Sequence, residues 1–200
     1  MYRLFYDHDV NGDVLFCVFK MEPTPDRVEK KGQLAALYKG DELIGINIFD
    51  LQKLCKIKSH GLIVTPDDRL IDALNSLIEN AGLPKLPYCR DSGFKVGEVV
   101  SLEEHPLDEK AHIVGLDFGP LGKKETVSRY KNLEVGSLLV CALEGTIKFD
   151  GSTFHESVIR NIGHQAEICS GKELRVNDDL SGAFIAEGYQ KGEDFFLDGK

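Results

Sequence analysis

Turn-forming residues divide the second half of the chain into short segments, and this spacing constrains the fold more than any other feature. From Phe94 onward, segments rich in Val, Ile, Leu and aromatic residues alternate with His-Pro, Gly-Pro-Leu-Gly and Glu-Gly breaks every 8–15 residues. Segments of this length suit β-strands better than helices. We therefore predict a nearly all-β second half, which favours a small sandwich or a five-stranded barrel. The predicted strands cover residues 94–102, 112–118, 125–130, 137–143 and 146–149, with a further strand over 157–162.

The first half mixes strands with helices. β-rich runs predict strands over residues 3–6, 14–19, 34–38 and 43–48, and helical spacing predicts a short helix over 49–57. The clearest helix is predicted over 67–81, with its apolar face at Leu70, Ile71, Leu74, Leu77 and Ile78. Thr65 offers a capping hydroxyl before this helix, and Gly82 is a suitable residue to end it. These elements predict a small α+β domain.

Residues 83–93 contain two prolines, Lys85 and the run Asp-Ser-Gly, and they fit neither a helical nor a strand pattern. This segment predicts a domain boundary near residue 92. The predicted domains are residues 1–91, of unknown role, and residues 92–200. Residues 1–90 hold 12 basic and 13 acidic residues, a net charge of −1, whereas residues 91–200 hold 12 and 20, a net charge of −8. The tail from Asp178 holds six acids and two lysines, which predicts an acidic, solvated C-terminal extension with Phe195–Leu197 docking back.

Composition excludes several classes of protein. The sequence contains no run of about 18 apolar residues, and its first residues lack the pattern of a secretory signal. Five widely spaced cysteines, without a C-x-x-C pair, indicate buried free thiols rather than disulfides or a zinc site. We expect a soluble cytoplasmic protein that does not enter membranes and holds no metal or cofactor.

Motifs for catalysis are absent from the sequence. No serine lies in G-x-S-x-G, and the Gly-Lys run at residues 119–124 lacks the spacing of a phosphate-binding loop. His155-Glu156 lacks the second histidine of H-E-x-x-H, and His105, before Pro106, is expected in a solvated turn. We therefore expect a protein that is not an enzyme.

Two polar segments of the second half could contact nucleic acid. OB-folds bind oligonucleotides on their second and third strands. The third predicted strand ends in Arg129, Tyr130, Lys131 and Asn132, which could meet phosphates, a base face and a base edge. Residues 169–175 add a hydroxyl at Ser170 and two further cations. An acidic half can hold RNA only through such a local basic face, because phosphate affinity depends on Lys and Arg.

Residues 94–176 also resemble a known family. The segment F-K-V-G-E-V at 94–99 is similar to F-x-V-G-x-V, and H-P-L-D-E-K-A at 105–111 is similar to H-P-N-A-D-K-L. The segment at 126–136 keeps the Asn and last Gly of I-V-C-G-A-x-N-V-x-x-G, and residues 164–174 resemble S-x-G-M-I-C-S-x-x-E-L. These are motifs of the tRNA-binding OB-fold domain. That domain occurs in the β-chain of bacterial phenylalanyl-tRNA synthetase, at the C-terminus of methionyl-tRNA synthetases and in small free-standing tRNA-binding proteins.

The first ninety residues resemble the N-terminal domain of the bacterial YtpR family in Phe5-Tyr6, N-G-D-V-L at 11–15 and G-I-N-I-F at 45–49. The whole resemblance implies an OB-fold, a five-stranded Greek-key barrel, that binds structured RNA, above all tRNA, by its shape and backbone. On this barrel, the residues that we predict to bind RNA, from the chemistry of their side chains, are Arg129, Tyr130, Lys131, Asn132, Arg160, Ser170 and Lys172.

The sequence departs from the family motifs at several of these positions. Cys-Gly-Ala is Ser128-Arg129-Tyr130, Gly-Met is Ala166-Glu167, and Asn-Ala is Leu107-Asp108. Glu167 brings a carboxylate near the expected phosphate path. An alternative function stays open: a degenerate barrel that docks a protein partner, or a second copy as a homodimer, with little affinity for RNA.

Overall fold

The computed structural model describes residues 2–20 and 23–197, in which strands predominate over helices. The chain divides into two compact units, Met1–Cys89 and Arg90–Lys200. Each unit has its own cluster of buried apolar side chains. None of the helices in the described ranges is long and apolar enough to cross a membrane.

A six-stranded antiparallel sheet in the order β3-β4-β5-β2-β1-β6 forms the frame of the first unit. The strands are β1 (Arg3–Asp7), β2 (Val14–Val18), β3 (Arg27–Lys31), β4 (Leu34–Lys39), β5 (Glu42–Phe49) and β6 (His60–Ile63). The sequence missed β3 and β6, which lie at the two edges. The only apolar side chain of β3, Val28, is exposed, and the charges around it protect an open sheet edge from pairing with another chain.

The long helix α3 (Asp68–Asn80) confirms the helix predicted over 67–81. Its buried face is part of the core of this unit, where each fully buried Leu or Ile contributes about 2 kcal/mol. The cap is the carboxylate of Asp67, which accepts a hydrogen bond from the Leu70 amide at 2.7 Å, and not the hydroxyl of Thr65. Gly82, at φ 69°, ends the helix in a Schellman motif, since Leu83 N donates to Ile78 O.

Two helices of four residues complete the first unit. The predicted short helix is α2 (Leu51–Leu54), which begins after Asp50. The helix α1 (His8–Asn11) lies between β1 and β2, where no helix was predicted. The side chain of Asp7 caps α1 by accepting hydrogen bonds from the amides of Asp9 and Val10.

A five-stranded antiparallel sheet in the order β13-β10-β7-β8-β9 forms the second unit. Its strands are β7 (Phe94–His105), β8 (Asp108–Asp117), β9 (Lys123–Ser128), β10 (Leu138–Ala142) and β13 (Glu167–Ile168). The strands β7 and β8 form one long hairpin, in which His105 pairs with Asp108 across the tight turn at Pro106. A separate hairpin, β11 (Ser157–Ile159) and β12 (Ile162–His164), replaces the single strand predicted over 157–162. The strand predicted over 146–149 is only an isolated bridge at Ile147.

The segment just before β13 joins the two edges of this sheet. The Gln165 amide donates to Glu125 O on β9 at 2.9 Å, and the Thr126 hydroxyl donates to Ala166 O. The strand β13, which follows directly, pairs with β10 at the opposite edge. The sheet therefore curls around the second core, which includes Leu116, Phe118 and Leu139.

The C-terminal segment is built into the second unit, which corrects the expectation of a solvated tail. The Ala186 amide donates to Leu138 O, and the Phe195 amide donates to Phe94 O. Asp194 is buried and accepts hydrogen bonds from Ser92 and Lys95. Among the described residues of this segment, the longest exposed stretch lies within 175–181, and the last acid, Asp198, lies outside the described residues.

Candidate nucleic-acid interface

A cleft of about 370 Å³ opens on the second unit where the β7–β8 turn, the end of β9 and the β11–β12 hairpin meet. We call it the hairpin cleft. It brings together three of the predicted RNA-binding residues, Arg129, Tyr130 and Arg160. The lining residues are His105, Asp108, Ala111, Val127, Ser128, Arg129, Tyr130, Ile159, Arg160, His164, Glu167, Ile168 and Glu173.

Two arginines of the hairpin cleft share one carboxylate. Arg129 follows the last residue of β9 and donates to Asp108 Oδ2 at 2.7 Å. Arg160 lies in the turn between β11 and β12, where its φ of 50° and that of 69° at Asn161 match a two-residue type I′ turn. Its Nη1 lies 3.2 Å from Asp108 Oδ2 and donates to Leu107 O. The hydrogen bond from Arg129, followed by that from the Lys110 amide, lowers the pKa of Asp108.

Tyr130 and Ser170 belong to a network centred on Glu173. The Tyr130 hydroxyl donates to Glu173 Oε2 at 3.0 Å, and Ser170 donates to the same oxygen from both its amide and its hydroxyl. The Glu173 amide in turn donates to Ser170 Oγ, which makes a reciprocal capping box of the kind usually found at helix starts. Burial, helped by the charge of Glu173, raises the pKa of Tyr130 to about 12.

This network changes what these two residues can do. Ser170 is fully buried, so its hydroxyl is not available to a ligand at the surface. Tyr130 packs partly against the second core, which leaves only part of its ring open for stacking on a base. The predicted hydrogen-bonding role of Ser170 is therefore replaced by a structural one.

Asn132 holds the C-terminal segment in place. Its side-chain amide donates to Ala183 O at 2.9 Å and accepts from Ala183 N at 2.8 Å, as a neighbouring strand would. A Cβ added to Gly182 would lie 2.8 Å from this amide, so the backbone passes very close to it. The amide predicted to recognise a base edge is thus occupied within the protein.

Lys131 and Lys172 are the exposed cations of the predicted set that remain free. Within residues 2–20 and 23–197, neither side chain makes an ion pair or hydrogen bond. Lys172 lines a second depression of about 300 Å³, which we call the tail hollow. The residues lining the tail hollow are Lys148, Phe149, Asp150, Lys172, Glu173, Arg175 and Leu180.

The tail hollow holds two features that the predicted site did not include. The guanidinium of Arg175 lies 5.0 Å from the centroid of the Phe149 ring. Lys148 forms an ion pair of 2.9 Å with Glu167, so the carboxylate expected to oppose RNA is neutralised. Glu173 lines both depressions, which are therefore adjacent.

His105 is the clearest residue that the sequence interpretation misjudged. It is 4% exposed and not solvated, and its Nδ1 accepts a hydrogen bond from the Leu107 amide. Its Nε2 is buried and has no partner among the described residues. Asp108 was missed as well, because no periodic pattern indicates which arginines a turn carboxylate will meet.

The lining of the hairpin cleft has no excess of positive charge. Its lining holds two guanidinium groups and three carboxylates, those of Asp108, Glu167 and Glu173. In the predicted basic wall, both arginines therefore pair with Asp108. The cations of the predicted set without an ion pair among the described residues are Lys131 and Lys172.

One group of potential metal ligands lies in the first unit. Asp7, Asp9 and His60 bring ligand atoms within 4.8 Å of one another. The position of Asp7 follows from its capping of α1, and the other two side chains are exposed. We assign no metal to this group.

The chain is similar to known proteins over both of its units. The "Putative tRNA-binding protein YtpR" of Bacillus subtilis is 26% identical over 198 residues, which cover 96% of this chain and 98% of that protein. The chain is YtpR-like along nearly its whole length. This similarity confirms the resemblance stated from the sequence motifs. Residues 22–86 also match a family model described as a domain of unknown function, DUF4479.

Other relatives match part of the chain. A phenylalanine–tRNA ligase β subunit of Bacteroides thetaiotaomicron is 27% identical over 127 residues, 61% of this chain and only 16% of that subunit. Among solved structures, the chaperone CsaA of Bacillus anthracis is 17% identical, with a TM-score of 0.36 over 50% of this chain and 86% of its own.

Proposed function

We propose that the second unit binds tRNA and catalyses no reaction on it. The main support for this proposal is the similarity to YtpR, which extends over both units. The name of that protein describes it as a putative tRNA-binding protein. The partial match to a tRNA ligase subunit supports the same ligand. Since tRNA is a cytoplasmic ligand, the proposal also puts the protein in the cytoplasm.

The binding scaffold in this proposal is an OB-fold. Five antiparallel strands with the segment before β13 bonded to β9 suit a small closed barrel, the architecture that OB-folds use for oligonucleotides. The two compact units would then be two domains, and the first would have a function different from that of the barrel.

The contacts in this proposal are to phosphates and not to base edges. Lys131 and Lys172 offer free ammonium groups, and Arg129 and Arg160 still have N–H donors beyond those that they use within the protein. Asn132 and Ser170 support the backbone behind these cations. Such a surface recognises the shape and backbone of a folded RNA, with part of the Tyr130 ring available for stacking.

A double substitution tests the proposal. We expect Arg129→Ala with Lys131→Ala to weaken tRNA binding about tenfold at 50 mM salt, because two phosphate contacts are lost. Binding is measured by fluorescence anisotropy with labelled tRNA, and circular dichroism checks the fold.

A matched control removes the same charge from the first unit. Lys20→Ala with Lys39→Ala deletes two cations that pair with Glu42 and Asp26, and exposed pairs of this kind contribute little to stability. We expect tRNA affinity within twofold of the wild type. Equal affinity of the Arg129/Lys131 variant and the wild type would contradict the proposed surface.

A further inference from the structure

Arg129 and Arg160 form an anion-binding site that is occupied by the carboxylate of Asp108. Its carboxylate lies between two guanidinium groups, 2.7 Å from Arg129 and 3.2 Å from Arg160. The Asp108 side chain is 15% exposed, whereas those of Arg129 and Arg160 are 68% and 48% exposed. Two arginines that converge on one anion from the solvent side are a common means of phosphate recognition.

His105 supplies a second, independent feature at the same cleft. Because its Nδ1 accepts the Leu107 amide, a neutral ring carries its proton on Nε2, and this N–H has no acceptor in the described chain. Buried donors are normally satisfied, so an unpaired donor in the wall of a cleft calls for an explanation.

We propose that Asp108 is an internal competitor for an RNA phosphate at the hairpin cleft. Its charge occupies the two arginines, so a phosphodiester that contacts them is opposed by an adjacent carboxylate. This inference rests on the proposed tRNA binding and adds that Asp108 limits its strength. The trio of Asp108, Arg129 and Arg160 carries a net charge of +1, which becomes +2 when the carboxylate is neutralised.

Asp108→Asn removes the charge and keeps the shape. The single side-chain oxygen of Asn can take the place of Oδ2 and accept from Arg129, and Arg160 keeps the Leu107 carbonyl as a partner. The Lys110 amide, which donates to Oδ1 in the wild type, loses that acceptor. A unit charge at 4–5 Å in a solvated site contributes about 1 kcal/mol. That energy corresponds to tRNA binding roughly three- to tenfold tighter at 50 mM salt. The logarithmic salt slope should become steeper by about 0.7–0.9, the value of one phosphate contact.

Two controls separate this effect from a change in overall charge. Glu109→Gln neutralises the adjacent exposed carboxylate, for which the described residues include no ion-pair partner, and should leave tRNA affinity within twofold. In a background of Arg129→Gln with Arg160→Gln, Asp108→Asn should give no gain, because the cations that it releases are gone.

The outcomes distinguish this inference from the proposed function. Tighter binding by Asp108→Asn alone, lost in the double-arginine background, supports the inference. If the wild type binds tRNA and Asp108→Asn binds equally or more weakly, Asp108 only orients the arginines, and the inference is wrong while tRNA binding stands. If neither protein binds tRNA at 50 mM salt while both are folded, the proposed function and the inference both fail.

Discussion

At the scale of single residues, several charged side chains of the candidate interface form ion pairs. Arg129 binds Asp108, and Glu167 binds Lys148. Arg129, Asp108 and Glu167 all stand at positions where this sequence departs from the family motifs. Each departure that introduces a charge therefore has an opposite charge beside it, which explains how the fold accommodates them.

Three polar residues of the family motifs, Asn132, Ser170 and Glu173, make hydrogen bonds that stabilise the fold. Ser170 and Glu173 form the capping box that turns the chain after β13, and Asn132 binds the backbone of Ala183. Side chains with these roles recur in a motif whether or not a ligand touches them. The sequence interpretation assigned Asn132 and Ser170 to RNA because a motif gives the residue and not its partner.

Asn132→Ala tests this structural role. Two hydrogen bonds to the Ala183 backbone are lost, and the freed N–H and C=O are left partly shielded, so we expect about 2 kcal/mol of destabilisation. Urea unfolding followed by circular dichroism measures the change, with Glu134→Ala at an exposed neighbouring position as the control. The tRNA affinity of the folded variant should equal that of the wild type. A stable variant with lost affinity would return Asn132 to the RNA contacts.

At the scale of elements, the helices and strands that depend on interactions between residues close in sequence could be predicted from local sequence patterns. The helix α3 has an apolar stripe, a capping carboxylate and a terminal glycine within 16 residues of sequence, 67–82. The strands β7 and β8 were predicted over 94–102 and 112–118 because His105-Pro106 lies between two apolar runs. In these elements propensity, pattern and burial all favour the same structure.

Elements that depend on distant partners were not predicted. The edge strand β3 has no buried face, and only its pairing with β4 makes it a strand. The C-terminal segment is acidic and looked solvated, yet its backbone bonds to β7 and β10 and its Asp194 meets Lys95. The Arg129–Asp108 pair joins positions 21 residues apart and could not be read from either segment alone.

Asp194 anchors the C-terminal segment, and its substitution tests that role. The carboxylate accepts from Ser92 and Lys95 while it is 5% exposed, and Lys95 is 12% exposed. Breaking a buried ion pair costs about 3–5 kcal/mol. The lower end of this range applies here, because Lys95 keeps an ion pair of 3.0 Å with the more exposed carboxylate of Asp91. We expect Asp194→Asn to lower the free energy of unfolding by about this amount in urea titrations at pH 7. An unchanged midpoint would show that the segment is held by backbone bonds alone.

Asp194 should also make the stability of the fold depend on pH. Burial alone would raise the pKa of Asp194, but the hydrogen bonds from Lys95 and Ser92 outweigh it and lower the pKa below its usual value. A carboxyl whose pKa is lower in the folded state stabilises the fold above its unfolded pKa, about 3.9. That contribution is lost as the pH falls through the folded pKa. The stability difference between wild type and Asp194→Asn should therefore shrink when urea titrations are repeated from pH 7 down to pH 3.

At the scale of the whole molecule, a net charge of −9 has to be reconciled with an RNA ligand. Twenty acidic residues lie between 91 and 200, so the second unit as a whole repels a polyanion. Screening limits that repulsion to about 10 Å at 0.1 M salt. The proposed contacts from Lys131, Lys172 and the two cleft arginines would then act at close range, where they are screened least.

This balance predicts how tRNA affinity changes with salt. With three to four phosphates contacted, the slope of log affinity against log salt is about −2 to −3, which weakens binding roughly 15- to 60-fold between 50 and 200 mM. At 10 mM salt the screening length grows to about 30 Å, so the acidic surface reaches the RNA and affinity should lie below the line extrapolated from higher salt. Anisotropy titrations from 10 to 200 mM measure both effects. A slope near zero would mean that phosphate contacts do not hold the RNA, and a slope steeper than −5 would require more cations than this surface provides.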